Sequence, residues 1–335
     1  MLLCINFFFC RKIRQKGCDF LSNIRTDLAI EAAQICDSAC KIDGADIEQK
    51  KLGTVGVTSV CINTEAAAER IGKPMGEYVT IEAKELRGGD EKIYDDVRKI
   101  LTDEITRLAH PKKNKNVLVV GLGNWNVTPD ALGPKVIDGI MVTRHLFGEE
   151  KLHIDEDVCS VCAVSPGVLG ITGIETGEII KGITQRAKPD VIIAIDALAS
   201  RRMERVSTTI QISDSGIVPG SGVGNHRNAI TLDTMGVPVV AIGVPTVVDA
   251  ATVASDSIEM LTEAVRVNAG EKSHLFRALK SFDDDNRYTL IKEVLSPFVG
   301  DLIVTPKEVD DIIDDISAVI SDSINAALLG YETEE

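Results

Sequence analysis

At 335 residues and 44% apolar side chains, the chain can build one large core or two. It has no apolar run near the roughly 18 to 20 residues that cross a bilayer, which argues against a spanning helix. Its net charge of −15, from 51 acidic against 36 basic side chains, repels a phosphate backbone and speaks against nucleic acid as a direct partner.

Residues 1–23 differ from the rest. The apolar patch Leu2 to Cys10 precedes Arg11, Lys12, Arg14 and Lys16, the reverse of a secretory signal, so export is not expected. Six of the eight cysteines fall within the first 61 residues, and Cys159 and Cys162 form one isolated Cys-x-x-Cys. A zinc ribbon needs a second such pair, and a chain without an export signal is expected to keep its thiols reduced.

Thr26 or Asp27 can cap a helix running to about Ala39. Alternation at Thr54 to Ile62 and at Glu77 to Ala83 predicts a strand pair, turned by Gly72-Lys-Pro-Met-Gly76. Apolar residues at Ile93, Val97, Ile100, Leu101, Ile105 and Leu108 predict an amphipathic helix from Asp90 to Leu108. Strand and helix then alternate. A buried strand at Val117 to Val120 leads through Gly121 and Gly123 to Asp130 and a helix-like run from Ala131 to Phe147. A strand near Val158 to Val164 leads through a loop holding Ser165 and Gly167 to a helix at Glu175 to Arg186. The strand Val191 to Ile195 ends on Asp196, and Thr208 to Ile212 follows. The glycine-dense loop Gly220 to Asn225 precedes a strand at Val237 to Ile242 and a helix from Thr246 to Val267. Helical runs at Asn286 to Leu295 and Pro306 to Leu329 close the chain. The expected class is α/β: a mostly parallel central sheet with helices on both faces, a β-rich N-terminal part and a helical C-terminal part.

Gly121-x-Gly123 after a strand invites a dinucleotide reading, but Asn126 stands where the third glycine belongs, and no Gly-Lys-Ser/Thr loop exists. Neither Ser165 nor Ser221 lies in Gly-x-Ser-x-Gly, so capping or loop roles suit both better. His226 sits beside the glycine-dense loop, and no histidine pair has metal-ligand spacing on a helix. The aspartates remain. Each alone reads as a helix cap or ion-pair partner as readily as a catalyst. Together, Asp130 and Asp196 stand at matching ends of buried strands, where open α/β sheets place their sites. Two carboxylates in one crevice cannot both ionise easily, so one can take a proton from water while its neutral partner protonates a leaving amide. Two such groups could also hold a metal, giving a metal-assisted peptidase or amidase, and a non-catalytic ligand-binding protein is the third possibility.

The segments Ile24-Arg-Thr-Asp-Leu-Ala-Ile-Glu31, Gly72-Lys-Pro-Met-Gly76, Val119 to Pro134, Val142-Thr-Arg-His-Leu-Phe147, Ser165 to Thr176, Ala194-Ile-Asp-Ala-Leu-Ala199, Gly220-Ser-Gly-Val-Gly-Asn225 and Ala241 to Ala250 resemble the germination protease of spore-forming Firmicutes. That resemblance implies an endopeptidase made as a zymogen in the cytoplasm of the forming spore. It would trim its own amino terminus and, on germination, start degradation of the small acid-soluble proteins of the spore core. It further implies a homotetramer of an atypical aspartic-type group, related in fold to hydrogenase maturation endopeptidases, whose nickel site has carboxylates at the places of Asp130 and Asp196. No counterpart of those relatives' metal-binding histidine can be assigned, so no cofactor or metal is expected. The cleft loops would carry Asn124, Trp125, Ser165, Gly167, Ser221, Gly222 and Asn225.

The family's substrate site is similar to Thr26-Asp27-Leu28-Ala29, which implies self-cleavage between Asp27 and Leu28. Residues 1–27 would then be a removable pro-segment and residues 28–335 a single catalytic domain. The pro-segment carries five basic against two acidic side chains, a net +3, so its removal takes the chain from −15 to about −18.

Overall fold

The computed structural model describes residues 26–37, 42–111, 115–148, 158–220, 228–280, 284–300 and 302–330. Among them, nine strands join in one mixed sheet. They are β1 (Ala45–Leu52), β2 (Val55–Ile62), β3 (Gly76–Glu82), β4 (Asn116–Gly121), β5 (Ser160–Val164), β6 (Val191–Ser200), β7 (Thr209–Ser213), β8 (Val239–Asp249) and β9 (Ile303–Val304). The order is β1-β2-β3-β7-β8-β6-β4-β5, with β9 added beside β8. The four strands β8, β6, β4 and β5 run parallel, whereas β1, β2, β3 and β7 extend the same sheet antiparallel. The β-rich N-terminal part is therefore a continuation of the central sheet.

The helices α1 (Ala29–Asp37), α2 (Glu65–Ile71), α3 (Glu91–Ala109), α4 (Leu132–Asp138), α5 (Thr176–Ala187), α6 (Ala250–Ala269), α7 (His274–Lys280), α8 (Asp284–Val299) and α9 (Val309–Leu329) complete the frame. Period-two alternation divides the parallel strands between two cores. Val117, Val119, Ile193, Ile195, Val240 and Ile242 face α3, α4 and α9, where Leu101, Ile105, Leu132, Ile316 and Ile320 are fully buried. Leu118, Val120, Ile192 and Ala194 face the other way, onto Ile180 of α5. Each such aliphatic side chain removed from water contributes about 1.5 to 3 kcal/mol, so a sheet covered on both faces is a rigid base for whatever its strand ends carry.

The expected alternation is present, with several differences. β2 and β3 pair as predicted, but α2 lies between them as well as the Gly72–Gly76 turn. β1 escaped the sequence reading because it is a mostly exposed edge strand, Ala-Asp-Ile-Glu-Gln-Lys-Lys-Leu, with little apolar alternation. The run after Asp130 is helical only over α4, and a separate turn follows at Arg144–Gly148. β8 does not stop at Ile242; it passes through Pro245 to Asp249, and α6 begins only at Ala250, capped by the Asp249 carboxylate on the Ala251 N–H at 2.8 Å. The reason lies in a bulge within β8: Leu198 of β6 faces Pro245 and Ala199 faces Val247, so Thr246 is the extra residue and the missing proline N–H falls where the ladder is already broken.

Candidate active site

β4 ends at Gly121 because nothing larger fits: a Cβ there would lie 2.2 Å from the Gly133 carbonyl oxygen of α4. Gly133 is equally tight, 2.2 Å from the Leu122 carbonyl. These two glycines let strand and helix backbones touch. The close approach at Gly121 is thus made to the chain's own helix. Gly123 has φ +114° and a would-be Cβ 2.0 Å from the Asp130 carbonyl oxygen. The loop from Leu122 to Asp130 then folds back on its own amides. Asn124 N–H donates to the Asp130 carbonyl (3.0 Å), Asp130 N–H to that of Val127 (2.8 Å), and the Thr246 hydroxyl to that of Pro129 (2.7 Å). Asp130 is thereby tied at both ends and left half-buried.

Asp196 lies inside β6 rather than at its end, since the strand continues to Ser200. It follows Ile192 and Ala194 on the α5 face. It stands opposite Gly243 of β8, is 5% exposed, and its Oδ1 accepts from Ala197 N–H at 2.9 Å. Asp130 and Asp196 line one cavity of about 400 Å³ with Leu122, Gly123, Thr176, Thr246 and Thr305. Asp130, on the turn that follows β4, and Asp196, within β6, both line this cavity.

The third carboxylate in the cavity is that of Asp27. Its N–H donates to the Ala199 carbonyl at 3.0 Å, and its Oδ2 accepts from Ala199 N–H at 2.9 Å. Residues 26–30 are thus laid against the far end of β6, with Leu28 and Ile30 packed on Leu198. Glu31 anchors the segment. Its carboxylate is 2% exposed, accepts from the backbone N–H groups of Arg201 (2.7 Å) and Arg202 (3.0 Å) and from the Thr26 hydroxyl, and pairs with Arg205 at 3.3 Å. Arg205 in turn meets Glu82 at 2.9 Å. Truncation leaves Arg205 its second carboxylate, Glu82, but removes the acceptor of two backbone N–H groups, so Glu31→Ala is expected to cost about 1 to 3 kcal/mol in chemical denaturation. An unchanged midpoint would contradict this.

The other predicted site residues are dispersed. Val127 reaches the cavity, but Asn124 and Trp125 of the same loop do not line it, and Trp125 is 56% exposed. Ser165 is exposed and also outside the lining. Gly167, at φ +73°, acts indirectly: its carbonyl accepts from the hydroxyl of Thr176, which does line the cleft. Ser221, Gly222 and Asn225 lie outside the described residues, as does His226. The sequence reading missed Thr246 because it placed that residue in a helix, and missed Thr305 because β9 is only two residues long. Among the described residues, no group of three or more His, Cys, Asp or Glu could hold a metal ion, and no helix is long and apolar enough to cross a membrane.

Known proteins match the chain over most of its length. The family described as Germination protease matches residues 25–282 and 259–334. A germination protease of Caldanaerobacter subterraneus subsp. tengcongensis is 52% identical over 312 residues, covering 93% of this chain and 96% of that protein. One from Clostridium tetani is 49% identical over 308 residues, with 91% and 95% covered. One from Bacillus cereus is 42% identical over 344 aligned residues, with 91% and 94% covered.

Proposed function

The chain belongs to the germination protease family and is a peptidase of spore germination; from that premise we propose that it is an aspartic-type endopeptidase, made as a zymogen, that cuts its own Asp27–Leu28 bond. The observation that carries this reading is the shared cavity: Asp27 lines it together with Asp130 and Asp196. A water between Asp130 and Asp196 loses a proton to the ionised carboxylate and attacks the carbonyl, and the neutral one protonates the leaving nitrogen. The low polarity of a cleft whose walls include Leu122, Val168, Leu198 and Val247 favours a single shared proton over two negative charges.

After processing, Asp27 leaves the cleft, which then takes small acid-soluble spore proteins within the spore core. The segment discarded is basic, a net +3, and leaves an enzyme of about −18 in place of −15.

Incubation of the purified full chain followed by amino-terminal sequencing tests the cleavage. A new terminus at Leu28 is expected, and a start anywhere else rejects the bond. Added chelator is the control for a metal-assisted reaction and is expected to leave the rate unchanged.

Self-association into a tetramer belongs to the same proposal. The packed helices α6 and α8 present Met260, Val267, Val294 and Phe298 to solvent, with Phe298 85% exposed. Apolar area of this kind is what a subunit contact covers. Light scattering is expected to give four times the chain mass for the wild type and less for Phe298→Asp; a monomeric wild type would overturn the assignment.

A further inference from the structure

The carbonyl of the bond between Asp27 and Leu28 carries two side-chain donors. Asp27 O accepts from Lys73 Nζ at 3.0 Å and from Gln211 Nε2 at 3.3 Å. The donors come from separate places: Lys73 from the turn between α2 and β3, Gln211 from the middle of β7. Gln211 also accepts from Ala29 N–H through Oε1 at 2.7 Å, so a single buried amide grips the chain on both sides of Leu28. Neither residue belongs to the elements that carry Asp130 and Asp196.

We propose that Lys73 and Gln211 form the oxyanion site for self-cleavage, an inference that rests on the Asp27–Leu28 reading above. Attack of the water oxygen on the Asp27 carbonyl carbon moves the carbonyl π electrons onto Asp27 O while the water proton passes to a carboxylate. The negative oxygen sits between an ammonium and an amide N–H, already placed before the charge develops. Collapse re-forms the carbonyl, breaks the C–N bond and sends a proton to the Leu28 nitrogen. The products are an Asp27 α-carboxylate and a Leu28 amine. Gln211 is long for a ground-state bond at 3.3 Å, which leaves room to shorten as charge builds on the oxygen.

The choice of residues supports a role beyond holding the segment. A clamp on a neutral carbonyl needs only a neutral donor, and burying an ammonium carries a desolvation cost. Burial lowers the pKa of Lys73, while the nearby Asp27 and Glu31 carboxylates oppose that shift. A charged donor in this position gains most when its acceptor becomes an anion.

The test is the first-order rate of self-processing of the full chain, read by intact mass, with the product terminus confirmed. Lys73→Met is expected to slow the reaction about 10²- to 10³-fold, as loss of one oxyanion donor does elsewhere. Lys73→Arg, which keeps a cationic donor, is expected to stay within about tenfold of wild type, and limited proteolysis is expected to find residues 26–31 equally protected in all three chains. Lys73→Met cutting at the wild-type rate overturns the proposal, and so does a slowed variant whose segment has come loose. If Lys73→Met does not fold, Gln211→Glu, which keeps the acceptor for Ala29 and loses the donor, decides by the same criteria. A wild-type chain that starts elsewhere than Leu28 removes the cleavage reading itself. Correct wild-type cleavage with an indifferent Lys73 removes the oxyanion site alone.

Discussion

Asp196→Asn and Asp130→Asn are each expected to slow self-processing by about 10³-fold or more, within the range that a general acid or base supplies. The substitution is nearly isosteric, so the fold has little reason to change. At position 196 the side-chain oxygen can still accept from Ala197 N–H, and the surrounding β6 ladder is backbone only. At position 130 the bonds from Asn124 N–H to the Asp130 carbonyl, from Asp130 N–H to Val127 and from Thr246 to Pro129 all end on main-chain carbonyls and remain available to the variant. What each variant loses is a group that can both take and give a proton. Intact mass against time is the measurement, and wild-type kinetics in either variant would contradict the assignment.

Gly123→Ala is the second large effect. The new Cβ would need to occupy a point 2.0 Å from the Asp130 carbonyl oxygen, and the backbone would stay at φ +114°, a conformation that L side chains rarely adopt. Neither demand can be met without moving the loop. The bond from Asn124 N–H to the Asp130 carbonyl would break, and the Asp130 carboxylate would shift with it. A displacement of about 1 Å at a reacting group can cost about 10²-fold in rate, and the strain itself about 1 to 3 kcal/mol in stability. We expect a folded but weakly stable chain whose processing is nearly abolished. Gly170→Ala is the control, because a Cβ there meets nothing within 4 Å, and wild-type rates are expected. Normal processing by Gly123→Ala would show that the loop geometry around Asp130 is dispensable.

Local patterns made the parallel half of the sheet legible. Val117 to Val120 and Val191 to Ile195 are apolar runs that only a doubly covered strand accommodates, and the helices flanking them show their period. That Asp130 and Asp196 line one cavity has the same origin, since β4 and β6 are parallel neighbours and Asp196 lies one residue past the partner of Gly121, where β4 ends. Less was visible where tertiary context overrides local preference. Pro245 reads as a strand terminator, yet it sits in β8 because β8 bulges at Thr246, the next residue. Asp196 reads as a strand end because alternation is lost in Ala-Leu-Ala-Ser, though the ladder runs on to Ser200. The donors on Asp27 O could not be found by spacing at all. Lys73 looked like part of a turn and Gln211 like a polar residue in a strand, and they meet only after β3 and β7 pair.

The same separation along the chain applies to Asp130 and Asp196, whose meeting in one cavity carries the functional account. The most direct test of it is a double-mutant cycle on the self-processing rate of the full chain, comparing Asp130→Asn, Asp196→Asn and the two combined. Groups that act as one unit are grossly non-additive, so the combined variant is expected to be no slower than the worse single one. Losses that multiply, with each single variant keeping part of its activity, would mean that the two carboxylates work independently and would contradict the shared site.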